Sequence, residues 1–176
     1  FMAHRGARLV ITDLAGPDKL AESVDALADI AIEAMHLHEH REEDFRHADV
    51  VVASPAVLEE NRFLQIARSH GALITTEMNL FFRHCRAPIV GVTGSNGKST
   101  TTALIFSMLQ ASGRPCWLGG NIGHSLLDRV DDIRSSDLVI LELSSFQLED
   151  LAQDELDRSP HAAVVTTFTP NHLDRH

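Results

Sequence analysis

The chain has 176 residues, 44% of them hydrophobic, and a formal charge of −10. This apolar content can bury one ordinary core or two small ones, which excludes a disordered chain. The acidic balance opposes approach to a polyphosphate backbone, which excludes a general nucleic-acid binder and requires that any phosphate site be local.

In chain order, short β-branched runs predict strands at 8–12, 30–37, 49–53, 72–76, 88–93, 115–118, 138–143 and 162–167. Helical patterns lie between them, notably at 61–70 and 99–112, each followed by a glycine (Gly71, Gly113) suited to a left-handed C-terminal cap. Strands that alternate with helices predict an α/β fold with parallel sheets covered on both faces. His36, His38 and His40 alternate along the chain; spacing of two places them on one strand face, exposed rather than bound to metal. Met78, Leu80, Phe81 and Phe82 read as packing residues near a domain border. That border is expected at 85–88, where an X-Pro step favours extended backbone before a new strand, giving domains at 1–86 and 87–176. Both ends read as cut: MAHRG looks like a helix end, and His176 falls inside a polar motif.

Cys85 and Cys116 stand far apart and outside any Cys-x-x-Cys spacing, so neither a disulfide framework nor a zinc site is indicated and a reducing compartment fits. No apolar run reaches bilayer-spanning length, and the start lacks the ordered regions of a signal peptide. A cytoplasmic protein with no membrane partner is expected.

Pro88-Ile-Val-Gly-Val-Thr-Gly-Ser-Asn-Gly-Lys-Ser-Thr runs from an apolar strand through a glycine-rich turn into a helix, the context a phosphate-binding loop requires. Gly94 and Gly97 permit backbone angles closed to other residues, and the helix start contributes its positive end. Gly94, Ser95, Asn96, Gly97, Lys98, Ser99 and Thr100 are the candidate ATP contacts. Lys98 would reach the β- and γ-phosphates, and the Ser99 hydroxyl would bind Mg²⁺. The strict motif places its first glycine at position 92, which is Val92 here. A plain glycine turn is the alternative reading. Glu142, at the end of the run Asp137-Leu-Val-Ile-Leu-Glu, is placed for a metal at the carboxyl edge of a sheet, where ligands of open α/β folds collect; a helix cap or an exposed strand end is the alternative.

GVTGSNGKSTTT, GGNIG (119–123), LELSSFQLE (141–149) and PNHLDRH (170–176) resemble the Mur ligase family in order and approximate spacing. SSFQLE is similar to the member that adds D-glutamate to UDP-N-acetylmuramoyl-L-alanine. The resemblance implies a partial Rossmann-like UDP-binding domain at 1–86 and a partial P-loop-type ATPase domain at 87–176. It implies ATP and Mg²⁺ as cofactors, small-molecule substrates, a monomer, and amide-bond formation through an acyl phosphate in peptidoglycan synthesis. It further implies Lys98 and His172 as catalytic residues, Ser99, Glu142 and His172 as magnesium ligands, and Asn121, Ser144, Gln147 and Asp13 as substrate contacts. Leu14, Thr167 and Asn171 depart from residues common in the family. The family's first strand and glycine-rich loop are expected before Phe1. Its carboxylated lysine, adenine contacts and third domain are expected after His176, so the 176 residues alone are expected to be inactive. Another Mur-type or folylpolyglutamate-type ligase, or a non-catalytic nucleotide-binding module, are the alternatives. A Rossmann-type NAD protein fits less well because the glycine loop carries Gly-Lys-Ser rather than GxGxxG.

Overall fold

A computed structural model describes residues 1–55, 57–153 and 158–170. The chain divides into two compact units, Phe1–Ala53 with Val57–Ile74, and Ser54–Ala56 with Thr75–His176. Each of the eight predicted strands has a counterpart among the described residues.

In the first unit, a 3-10 turn at Ala3–Arg5 ends on Gly6 at φ 80°. Strand β1 (Val10–Asp13) pairs in parallel with β2 (Ala34–Leu37), Val10 opposite Ala34 and Asp13 opposite Leu37. Between them runs α1 (Pro17–Asp25), with proline at its first position, where the missing amide costs no helical bond. Then come α2 (Glu42–Arg46), β3 (Val50–Ala53), α3 (Arg62–Ser69) and β4 (Leu73–Thr76), with β3 beside β4 in a second sheet. Helix α3 starts where the Asn61 side chain accepts from the Phe63 amide at 2.9 Å. It ends with Gly71 at φ 87° and the Ala72 amide donating back to the Ala67 carbonyl at 3.0 Å, the paired closure that a left-handed glycine permits. The core of this unit is Phe45, Ala67 and Ala72, packed by Val51, Phe63, Ile66 and Ile74.

The predicted strand at 30–37 is only half realised. Ile30 still closes a turn, its amide donating to the Leu27 carbonyl at 2.9 Å, so extended pairing begins at Ala34. His38 adopts φ 70° and ends the alternation, so the three histidines do not share an exposed face. His36 Nδ1 lies 2.7 Å from Asp44 Oδ2. The ring of His38 fills the space a side chain at Gly16 would need. His40 lies edge-on to Phe45 and Phe63, with Nδ1 2.7 Å from Thr12 Oγ1. Among the described residues no group of three or more His, Cys, Asp or Glu could hold a metal ion.

The second unit opens with α4 (Glu77–His84), capped by Thr76 Oγ1, which accepts from the Asn79 amide at 3.2 Å. Sequence places this helix before the domain border, but Met78, Asn79, Leu80, Phe81 and Phe82 are all buried, and the helix packs on α6 (Ser145–Gln153) and on a 3-10 turn at Leu127–Arg129. The remaining elements are β5 (Ile89–Thr93), α5 (Lys98–Ala111), β6 (Cys116–Gly120), β7 (Leu138–Glu142) and β8 (Ala162–Val165). They form a parallel sheet in the order β6-β7-β5-β8, with α5 against β5, β6 and β7. Ile89, Val92, Val139, Ile140 and Leu141 are fully buried, as expected of central parallel strands flanked on both sides by other strands and covered by helices. Burying each such side chain contributes about 1.5 to 3 kcal/mol, enough to hold the ends of β5 and β7 in fixed register.

Candidate nucleotide site at the carboxyl edge of the sheet

Register decides what meets at this edge. Val92 lies opposite Glu142 on one side and Val164 on the other, and Glu142 also lies opposite Gly120. Because the strands are parallel, the segments that follow Thr93, Gly120, Glu142 and Val165 all leave from the same edge. Lys98 and Glu142 therefore stand on the same side of the sheet, one at the head of the helix after β5 and one at the tip of β7.

The glycine loop is built around two left-handed positions, Gly94 at φ 134° and Gly97 at φ 82°. The first intrahelical bond of α5 runs from the Thr101 amide to the Gly97 carbonyl at 3.0 Å, so the amides of Lys98, Ser99 and Thr100 have no carbonyl one turn back. They form an anion-seeking helix start. Lys98 Nζ donates to the carbonyls of Gly94 at 2.7 Å and Ser95 at 3.4 Å, which holds the ammonium over the loop. The fully buried Thr102 hydroxyl donates to the Lys98 carbonyl at 2.7 Å and fixes the first turn. The amides of Ser95 and Asn96 point elsewhere: they donate to the Thr167 carbonyl and hydroxyl, each at 2.9 Å. Val92 stands at the first-glycine position because the chain there is still an interior strand, with the side chain fully buried.

Glu142 is 2% exposed. Its carbonyl accepts from the Asn121 amide at 2.8 Å, and its Oε1 accepts from Asn121 Nδ2 at 3.1 Å. A side chain at Gly120, which has φ 91°, would overlap the Glu142 carbonyl oxygen, so glycine is required for β6 to pass this close. The second carboxylate oxygen, Oε2, is buried and accepts no hydrogen bond among the described residues. An ionised oxygen in that setting is costly unless a cation or a water bound to one faces it. The donor set therefore fits Mg²⁺, a hard cation that prefers one or two carboxylate or hydroxyl ligands and completes its shell with phosphate and water.

Ser144 and Gln147 form a reciprocal cap at the head of α6. The Gln147 amide donates to Ser144 Oγ at 3.2 Å, and the Ser144 amide donates to Gln147 Oε1 at 3.0 Å. With its carbonyl oxygen held in this way, Gln147 has its NH₂ end directed away from the cap. The family resemblance points to both residues but not to this mutual cap, although Ser-x-x-Gln before an amphipathic stretch is its signature. Asn121 belongs to the same edge through its bonds to Glu142. Asp13 lies in the first unit, exposed at the end of β1, with Oδ1 accepting from the Ala15 amide at 2.7 Å. His172 lies outside the described residues.

The stretch that carries the lysine-headed glycine loop and the strand-terminal glutamate, residues 92–176, matches the Mur ligase middle domain. All 176 residues are 49% identical to the UDP-N-acetylmuramoylalanine--D-glutamate ligase of Roseiflexus sp. (strain RS-1) and 41% identical to the enzyme of that name from Symbiobacterium thermophilum. The chain spans 37% of the length of each of these relatives. Among solved structures, a pseudomurein peptide ligase type C from Methanothermus fervidus aligns with 95% of this chain and 34% of its own at 18% identity and a TM-score of 0.43. No helix among the described residues is long and apolar enough to cross a membrane.

Proposed function

We propose that this chain supplies the nucleotide-handling part of an ATP-dependent ligase that joins D-glutamate to UDP-N-acetylmuramoyl-L-alanine. The observation that carries the proposal is the convergence on one sheet edge of the Lys98 helix start and the Glu142 carboxylate, whose Oε2 has no partner among the described residues. The similarity to the two D-glutamate ligases described above supports the choice of substrates.

On this reading, the amides of Gly97, Lys98, Ser99 and Thr100 cradle the phosphates, and Lys98 Nζ turns from the Gly94 carbonyl to the transferring phosphoryl group. Ser95 and Asn96 shape the loop. Phosphoryl transfer depends chiefly on alignment and on neutralised charge, which the helix start and the ammonium provide. Ser99 Oγ and Glu142 hold Mg²⁺, which when bound neutralises phosphate charge. Asn121, Ser144 and Gln147 face the muramoyl substrate, Gln147 through its NH₂ end. The substrate carboxylate takes the phosphoryl group, and the amine of D-glutamate displaces it from the resulting acyl phosphate. His172 supports the reacting carboxylate, Asp13 contacts the uridine end, the unit that holds Asp13 binds the UDP moiety and the unit that holds Lys98 binds ATP. The protein acts in the cytoplasm as a monomer.

Lys98→Ala in the full-length protein tests this directly. Loss of a charge-assisted contact of roughly 1.5 to 3 kcal/mol should weaken ATP binding by at least tenfold in calorimetric titration. Unchanged affinity would remove the basis of the proposal. Substrate choice is tested by phosphate release with UDP-N-acetylmuramoyl-L-alanine and D-glutamate, against a folate acceptor as the competing pair.

A further inference from the structure

Nucleotide binding alone does not require the chain leaving β8 to be fastened so closely to the glycine loop. Thr167 Oγ1 accepts from the Asn96 amide at 2.9 Å and approaches the Asn96 carbonyl, to which it can donate, at 3.2 Å. The Thr167 carbonyl accepts from the Ser95 amide at 2.9 Å. Two residues on, the arrangement repeats with the partners exchanged: Ser95 Oγ donates to the Thr169 carbonyl at 2.8 Å and accepts from the Thr169 amide at 2.9 Å. Thr166 Oγ1 adds a bond to the Asn96 carbonyl at 2.5 Å. Each hydroxyl thus closes a small ring on the backbone of the opposite segment, one from the β8 side and one from the loop side. A hydroxyl can do this because it both donates and accepts.

Gly94 fits the same picture. A Cβ there would lie 2.3 Å from Thr166 Oγ1 and 2.9 Å from the Thr167 amide nitrogen and carbonyl oxygen. Glycine at 94 is therefore required for the two segments to meet, independently of any phosphate. The clamp also sorts the amides of the loop. Those of Ser95 and Asn96 are held by Thr167, leaving the helix-start amides as the phosphate donors.

We infer that Thr167 is a positioning residue for the nucleotide: its hydroxyl sets the Ser95–Asn96 turn, and thereby the direction of the amides from Gly97 onward. This rests on the nucleotide reading given above. Such a role belongs to a hydroxyl and not to the bulk of the side chain, so serine should replace threonine and valine should not.

The test is Mg·ADP binding by calorimetry, together with hydrogen exchange at the Asn96 amide, in full-length wild type, Thr167→Val and Thr167→Ser. Thr167→Val should weaken binding about three- to tenfold, the scale of one hydrogen bond in a partly solvated turn, and should speed exchange at Asn96. Thr167→Ser should stay within about twofold of wild type in both. Equal weakening in the two variants, or unchanged binding with Asn96 still protected in Thr167→Val, would overturn the inference. If Thr167→Val does not fold, Thr167→Ser with Asn96 exchanging as in an open loop overturns it as well. Wild type that fails to bind Mg·ADP, while exchange at Asn96 still follows the hydroxyl, would sink the nucleotide reading and leave the clamp as a purely structural device.

Discussion

Asn121 is tied to Glu142 twice, by its backbone amide to the Glu142 carbonyl at 2.8 Å and by Nδ2 to Glu142 Oε1 at 3.1 Å. The first bond depends only on Gly120 letting β6 approach. The second depends on the amide side chain, so Asn121→Ala removes one and spares the other. The carboxylate should lose its fixed orientation, and Mg²⁺-dependent nucleotide affinity should drop by about tenfold, while affinity measured with a chelator present stays unchanged. Calorimetric titration of ADP with and without Mg²⁺ separates the two, and an equal change in both conditions would count against this role for Asn121.

Glu142 itself sets function against stability. Its carboxylate is 2% exposed, and Oε2 is without a partner among the described residues. Glu142→Gln keeps an oxygen to accept from Asn121 and puts a neutral amide in place of the carboxyl group. The variant should gain about 1 kcal/mol or more of stability in urea unfolding while losing the Mg²⁺ dependence of nucleotide binding. A destabilised variant would mean that the orphaned oxygen has a favourable partner after all.

The strands and the phosphate loop were legible because their signals are local: β-branched runs bounded by turn residues, and Gly-Ser-Asn-Gly-Lys-Ser between a strand and a helix. The same is true of the glycine caps, since Gly71 and Gly113 both adopt left-handed angles, at φ 87° and 75°. What escaped depends on pairing across the chain. No local pattern announces that Thr167, 71 residues beyond Asn96, accepts the Asn96 amide, or that Asn121 orients Glu142. The histidines at 36, 38 and 40 misled for a related reason: period-two spacing implies one face only while the strand continues, and it stops at Leu37.

Two glycines with similar dihedral angles should respond very differently to alanine. Gly113 has φ 75°, and a Cβ there would meet nothing within 4 Å, whereas a Cβ at Gly120, with φ 91°, would lie on the Glu142 carbonyl oxygen. Gly113→Ala should cost only the left-handed backbone penalty, about 1 to 2 kcal/mol. Gly120→Ala adds a clash with backbone that cannot rotate away, and should cost about 3 kcal/mol or more. Thermal unfolding of the two variants side by side checks the ordering. Equal costs would mean that β6 shifts freely from β7, against the register of the sheet.

Asp137 gives a pH signature with a built-in reporter. Its Oδ2 accepts from Trp117 Nε1 at 2.9 Å and from the Arg134 amide at 3.1 Å, and these bonds, the indole first, hold its carboxyl below the usual aspartate range. A folded pKa lower than the unfolded one means that the contribution is complete above the unfolded value, about 4, and is lost as pH falls from there through the folded value. Wild type should therefore lose stability as pH drops below about 4, and Asp137→Asn should show a shallower decline over that window. Trp117 is the only tryptophan in the chain, so its emission should change over the same window as the indole loses a charged acceptor. Emission that titrates identically in Asp137→Asn would assign the transition to another carboxylate.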